Sequence, residues 1–367
     1  MSMKETFLSL VRLGIGHTDE FCIKLQDSDS NPIDWGNLKV VAEQHGLSAI
    51  VLDGIDVLKA NNSNFTNTLP VTKKLEWIGE VLQNYEARYA DYRRRIGELA
   101  GFYNEHGFNL MVLKGYGLSL NWPKPDHRPC GDIDIYAFGK YKEADDALHK
   151  ELGIKMENGH HHHTVFEWKG YSVENHYDFV NVYYGHKNAE LEKVFKELAK
   201  DDSYYTEIDG ERVYLPSPNL HLLFLLRHCM QDFASAELNL RQVLDWAFFV
   251  EKHTNEIDWE WFLGTVKKYK MTDFFICLNA ICVDDLMFDA KLFPYVQFNP
   301  PVKEKVQNEI LEPSFSRREP RGLFPRLVFK YKRWKGNAWK QELCYHDSRA
   351  SSFFTGVWNH LLKPKSI

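Results

Sequence analysis

Nowhere does this sequence hold the ~20 consecutive apolar residues that a spanning helix needs, so no membrane-crossing segment is expected. Its first residues, Met1-Ser2-Met3-Lys4-Glu5, lead into an amphipathic stretch instead of a signal-peptide core, and the chain reads as cytoplasmic. Cysteine is sparse: six residues in 367, none in a Cys-x-x-Cys pair, which argues against both a disulfide framework and a cysteine zinc site. Fixed-period repeats and low-complexity segments are missing too, which excludes solenoids and flexible linkers as the main architecture. The charge-rich, aromatic-poor composition of a disordered chain is equally absent, because 44% of residues are hydrophobic and 14% aromatic.

Charge is present but unevenly placed. Residues 313–367 carry twelve Lys/Arg against three Asp/Glu, a net +9 set against −15 for the rest. Neutralising the chain's own acidic body is the favoured role for this tail; binding of nucleic acid or an acidic surface is possible but not favoured. Phe324, Leu327, Val328, Tyr331 and Trp334 form one helical stripe in it, expected to dock on the body.

Hydrophobic periodicity divides the chain. Residues 1–107 read as an N-terminal helical region: Phe7, Leu8, Leu10 and Val11 share a face, a second helix runs from Trp35 to Gly46, and a long pattern from Val71 to His106 stops at Gly107. Short apolar runs then appear at Phe108–Leu113, Ile133–Tyr136, His161–Trp168 and Tyr171–Phe179, with short helices at Tyr116–Trp122 and Lys140–Leu152, so residues 108–185 form an α/β core. Helices resume over 186–312, the longest expected from Leu220 to Glu251, and residues 313–367 make a basic helical tail. The predicted fold class is α+β, a small mixed sheet with large flanking helical regions.

Within the core, Asp132 and Asp134 lie two apart on a strand and so share a face, while Ile133 and Ile135 turn into the core. Adjacent carboxylates repel unless a cation separates them, and hard oxygen donors suit Mg²⁺, completed by waters and phosphates. A two-residue turn at Lys169-Gly170 sets the pairs Trp168/Tyr171, Glu167/Ser172, Phe166/Val173, Val165/Glu174, Thr164/Asn175 and His163/His176. That register puts Glu174, His176, Asp178, His163 and His161 on one face, making Glu174 the candidate third carboxylate of a phosphoryl-transfer site. Lys114-Gly115 precedes a short helix where backbone N–H groups and an ammonium are expected to meet phosphate, and Arg128 is expected to add a second charge.

These residues together, Leu113-Lys114-Gly115, Arg128-x-x-Gly131-Asp132-Ile133-Asp134-Ile135, the His161-His162-His163 strand and Val173-Glu174-x-His176, resemble the uncharacterised nucleotidyltransferase family of bacterial proteins within the polymerase β-like superfamily. The resemblance implies Mg²⁺ on Asp132, Asp134 and Glu174, and transfer of a nucleoside monophosphate from a nucleoside triphosphate to a hydroxyl-bearing acceptor. The candidate nucleotide-binding residues are Lys114, Gly115, Arg128, Gly131, His163 and His176. One departure stands out: the superfamily usually has Gly-Ser or Gly-Gly at the phosphate-gripping turn, where this chain has Lys114-Gly115. That departure motivates the alternative, a nucleotide-binding or interaction module without turnover.

Other chemistry-bearing residues have plainer expectations. Alternation along a strand separates His161 and His163 from His160 and His162, so a four-histidine zinc site is not expected. Arg241 and Asp245, four apart on a helix, are expected to form a structural ion pair. His221 and His228 read as core histidines.

Overall fold

The computed structural model describes residues 2–18, 33–61, 68–160, 162–182, 186–235, 237–294, 300–315 and 320–345. Six strands form one mixed sheet: β1 (Met111–Val112), β2 (Ile133–Tyr136), β3 (His163–Trp168), β4 (Tyr171–His176), β5 (Tyr205–Ile208) and β6 (Glu211–Tyr214). Their order across the sheet is β3-β4-β2-β1-β6-β5, with β2 parallel to β4, β1 parallel to β6 and the other neighbours antiparallel. The fold is therefore α+β, a single mixed sheet flanked by helices.

The β3–β4 hairpin has the register that its turn dictates. Lys169 and Gly170 both take positive φ, 48° and 91°, as a tight hairpin of right-handed twist requires, and His163 faces His176 while Trp168 faces Tyr171. A second turn of the same kind, Asp209-Gly210 at φ 54° and 91°, makes the β5–β6 hairpin, so the sheet extends past residue 185 into a stretch read as helical. Asp-Gly between short runs is a strong hairpin signal, yet the polar Glu207 and Glu211 beside it hide the strand alternation.

Each sheet face has its own cover. On one, Ile133, Ile135, Val173 and Phe166 pack against Tyr92, Ile96, Leu99 and Tyr103 of the Arg88–Glu105 helix and against Ala144 and Leu148 of the Tyr141–Leu152 helix. That layer holds one polar knot, in which Asp145 accepts from Thr164 Oγ1 at 2.7 Å and from Asn175 Nδ2 at 2.8 Å. On the other, Met111, Tyr136 and Tyr214 join Phe179, Phe195 and Phe224 in the larger core of the helical regions. Helix spans that read as continuous differ at two points. Val71 to Glu105 is helical throughout but passes through a wider π turn at Leu82–Ala87, and the long apolar helix splits into Pro218–Ser235 and Leu240–His253. The split has a local cause: Asn239 caps the second helix, accepting from Gln242 N while Gln242 Oε1 accepts from Asn239 N.

The Leu323–Tyr345 helix docks by its second half. Lys340 Nζ, 1% exposed, meets Glu309 at 2.7 Å, and Cys344 and Ala338 are buried, whereas Phe324 and Tyr331 of the expected docking stripe are 76% and 57% exposed. One positive charge of the tail thus pairs with the body, while Phe324 and Tyr331 of the stripe stand in solvent. The remainder of the basic tail, with His161, lies outside the described residues. Among the described residues no helix is long and apolar enough to cross a membrane.

One buried ion pair ties the helical region to the loop before β2. Arg128 Nε and Nη2 donate to the two oxygens of Asp245 at 2.7 and 2.9 Å, both side chains 4% exposed, and Trp122 Nε1 adds a third bond at 2.9 Å. Asp245 therefore pairs with Arg128 in place of its helix neighbour Arg241. Replacing Asp245 by Ala leaves the Arg128 guanidinium buried without its counter-ion and is expected to cost about 3–5 kcal/mol in urea unfolding. An Arg128→Met/Asp245→Leu double variant is expected to recover most of that loss, since it removes both charges together.

Candidate active site

The site is built on three neighbouring strand ends. Asp134 on β2 lies level with Glu174 on β4, and Tyr136 lies level with His176, so the parallel ladder brings Asp134, Glu174 and His176 onto one face. The antiparallel ladder adds His163 opposite His176. Asp134, Glu174 and His176 each present a ligand atom within 4.8 Å of the others. Asp132 stands just before β2, outside this tight group and exposed to solvent at the mouth of the site.

Asp134 is the electrostatic centre. It is 6% exposed, and burial alone would raise its carboxyl, but Lys114 Nζ at 2.7 Å and His176 Nε2 at 3.1 Å outweigh that and hold it well below the usual carboxylate range. Burial likewise opposes ionisation of Glu174, and His176, 3.6 Å away, brings its carboxyl below the ordinary value. His176 and Lys114 shift the other way: burial disfavours both cations, yet the facing carboxylates raise them. Asp132 has no such partner. Partial burial, then the charges of Glu174 and Asp134, push its carboxyl up, the behaviour of an acid in a cluster short of positive charge. Three carboxylates with hard oxygen donors and an unbalanced negative charge fit a divalent cation such as Mg²⁺.

The sequence-predicted residues divide accordingly. Lys114 is beside the carboxylates, its ammonium bonded to Asp134, where phosphate contact had been expected. Gly115 adopts φ 57°, ψ −108°, and a Cβ there would lie 2.1 Å from Tyr92 Oη. The helix after it has only four residues, Tyr116–Ser119, and its Gly117 and Ser119 N–H groups already bond to Lys114 and Gly115 carbonyls. Arg128 is buried, its guanidinium bonded to Asp245, and it anchors the loop that carries Asp132. His163 and His176, expected at the nucleotide, are 6% and 3% exposed and sit beneath the carboxylates. Gly131 is exposed with open space where a side chain would be.

Sequence reasoning missed Tyr92. Its hydroxyl donates to the Asp132 carbonyl at 2.9 Å and fills the space that Gly115 leaves, joining the two loops of the site. No local pattern distinguishes it from the core residues of its helix. Asp232 is also unforeseen, and His228, read as a core histidine, stands 3.5 Å from it on the Pro218–Ser235 helix; Asp232 accepts from Gln242 Nε2 at 2.5 Å and its charge reaches Lys114. Gly115→Ala is expected to cost about 1–3 kcal/mol in thermal unfolding, from the positive φ and the clash with Tyr92. Tyr92→Phe in the same chain is expected to relieve only the clash, leaving the backbone share of the loss.

No curated protein and no solved structure gives a match to the chain. A family described as uncharacterised nucleotidyltransferase matches residues 31–287, a span that contains all six strands and all three carboxylates. By that match the chain belongs to the uncharacterised nucleotidyltransferase family.

Proposed function

We propose that this protein is a Mg²⁺-dependent nucleotidyltransferase that moves a nucleoside monophosphate from a nucleoside triphosphate to a hydroxyl-bearing acceptor. The observation that carries this reading is the convergence of Asp134 and Glu174 from parallel strands with Asp132 at their mouth. When bound by these three residues, Mg²⁺ would supply positive charge for the phosphate oxygens and for an attacking hydroxyl. His176 and Lys114 keep Asp134 ionised, and so available as a ligand at neutral pH. Glu174, largely buried and negative beside His176, is placed to accept the acceptor's proton. Tyr92 and the Arg128–Asp245 pair hold the loops that present Lys114 and Asp132. The buried free thiols Cys130, Cys229, Cys277, Cys282 and Cys344 support a reducing, cytoplasmic setting.

A second reading, nucleotide binding without turnover, is favoured by one contact, the Lys114 ammonium already bonded to the central carboxylate. The two readings separate by experiment. Under the first, one of the four ribonucleoside triphosphates raises the thermal midpoint only with Mg²⁺, by the equivalent of about 2.7 kcal/mol at 100 times Kd. The Asp132→Ala/Asp134→Ala variant is expected to lose the shift.

Transfer itself is read as pyrophosphate released from that nucleotide across a panel of hydroxyl acceptors. Glu174→Gln is expected to reduce release by more than about 100-fold, because even residues behind a metal's ligands are worth ~10–100-fold. A shift without release in the wild-type chain would establish the second reading, and no shift with any nucleotide would overturn both.

A further inference from the structure

Beside the carboxylates lies a cluster of three imidazoles, of which the proposed transfer uses only the Nε2 side of His176, against Asp134. His162, at the approach to β3, His163, its first residue, and His176, the last of β4, bring their rings together, with centroids 4.4 Å apart for 162–163, 5.2 Å for 163–176 and 5.5 Å for 162–176. Rings that share one tetrahedral ion through nitrogens at ~2.0–2.1 Å stand about 5 Å apart. One nitrogen of each ring lies within 4.8 Å of the others. Strand alternation does not separate His162 from His163, because β3 begins at His163 and His162 lies outside the pleat.

The nitrogens lack hydrogen bonds, the nearest charged neighbour of His163 Nδ1 being Glu174 Oε2 at 3.8 Å. Both ring nitrogens of His163, Nδ1 of His162 and Nδ1 of His176 are buried without a hydrogen bond, on side chains of which His163 is 6% and His176 3% exposed. Buried polar groups are nearly always satisfied, and a group of orphaned imidazole nitrogens is a donor set awaiting an ion. His176 shows which way it is set. Its Nε2 side faces Asp134 at 3.1 Å and Glu174 at 3.6 Å, leaving Nδ1 as the unpartnered atom. A histidine that hands one nitrogen to a carboxylate and keeps the other bare is the usual arrangement of a metal-ligating imidazole. Three imidazole nitrogens favour a borderline transition ion over Mg²⁺, which prefers oxygen.

We infer that His162, His163 and His176 form a second metal site, for a divalent transition ion of the Zn²⁺ type, distinct from the carboxylate site and joined to it through the ring of His176. An ion there fixes His176 with Nε2–H toward Asp134, so its presence sets the orientation of the central carboxylate.

The test uses the full chain, stripped with a chelator, loaded with Co²⁺ and desalted. The expected result is one equivalent of Co²⁺ retained, with the visible bands of a tetrahedral ion, displaced by Zn²⁺ and not by excess Mg²⁺. His162→Ala, at a partly exposed position and so safe for folding, is expected to weaken retention at least tenfold, and His162→Ala/His163→Gln to abolish it. Asp132→Asn is expected to retain Co²⁺ fully while losing the Mg²⁺-dependent nucleotide shift, which separates this site from the proposed transferase site. Failure of the stripped wild type to retain Co²⁺ or Zn²⁺, unchanged retention in both histidine variants, or loss in Asp132→Asn would each overturn the assignment.

Discussion

The structure turns on a negative charge kept almost out of water. Asp134, 6% exposed in the middle of a sheet, is sustainable only because a cation and an imidazole reach it from the two adjacent strands: Lys114 follows β1 and His176 ends β4. That requirement explains the order β4-β2-β1 at the centre of the sheet. A one-residue slip of β2 would exchange Asp134 for Ile133 or Ile135, burying a carboxylate among Tyr92 and Ile96 and exposing an isoleucine to the charges. Register and electrostatics therefore specify one another, and neither the apolar face nor the charged face can be repacked alone.

Because β1 contributes only Met111 and Val112, its two ladder neighbours cannot by themselves position Lys114. The loops do so through contacts made far away in the chain. Tyr92, from the N-terminal helical region, meets both the glycine turn after Lys114 and the carbonyl of Asp132, while Arg128 is gripped by Asp245 from the C-terminal helices. Helices on either side of the sheet thus act on the site mechanically, without any of these side chains standing among the carboxylates. Large flanking regions around a sheet this small are a consequence: the strands are too short to hold their own loops.

What could be read in advance follows from the range of the interactions. The β3–β4 register was legible because a two-residue turn and a period of two determine every pair, and the shared face of Glu174 and His176 came with it. The alignment of Asp134 with Glu174 rested on what a three-carboxylate site requires, since parallel neighbours have no connecting turn to set their offset. The pairing of Arg128 with Asp245 was not legible because the partner lies 117 residues on, and a buried arginine looks the same in sequence as one that holds phosphate. The closeness of His162 to His163 was hidden for the opposite reason: alternation holds only within the strand, which begins at His163. The β5–β6 hairpin had its turn signal in Asp209-Gly210, but strands with one wet face, as in Tyr205, Glu207 and Arg212, lack the apolar run that would announce them.

The division of labour in the site also says where selectivity has to arise. Under the proposed transferase reading, carboxylates holding a cation would meet any phosphate alike, so the floor of the sheet would not distinguish one acceptor from another. The groups able to do so are those of the opposing helices: His228 and Asp232 at 3.5 Å from each other, Gln242 bonded to Asp232, and Arg241 in the first turn of the next helix. Their charges reach the floor, since Asp232 acts on Lys114, and His228, held down chiefly by burial, responds to Asp232 and Lys114. A substrate entering between sheet and helices would therefore perturb both at once.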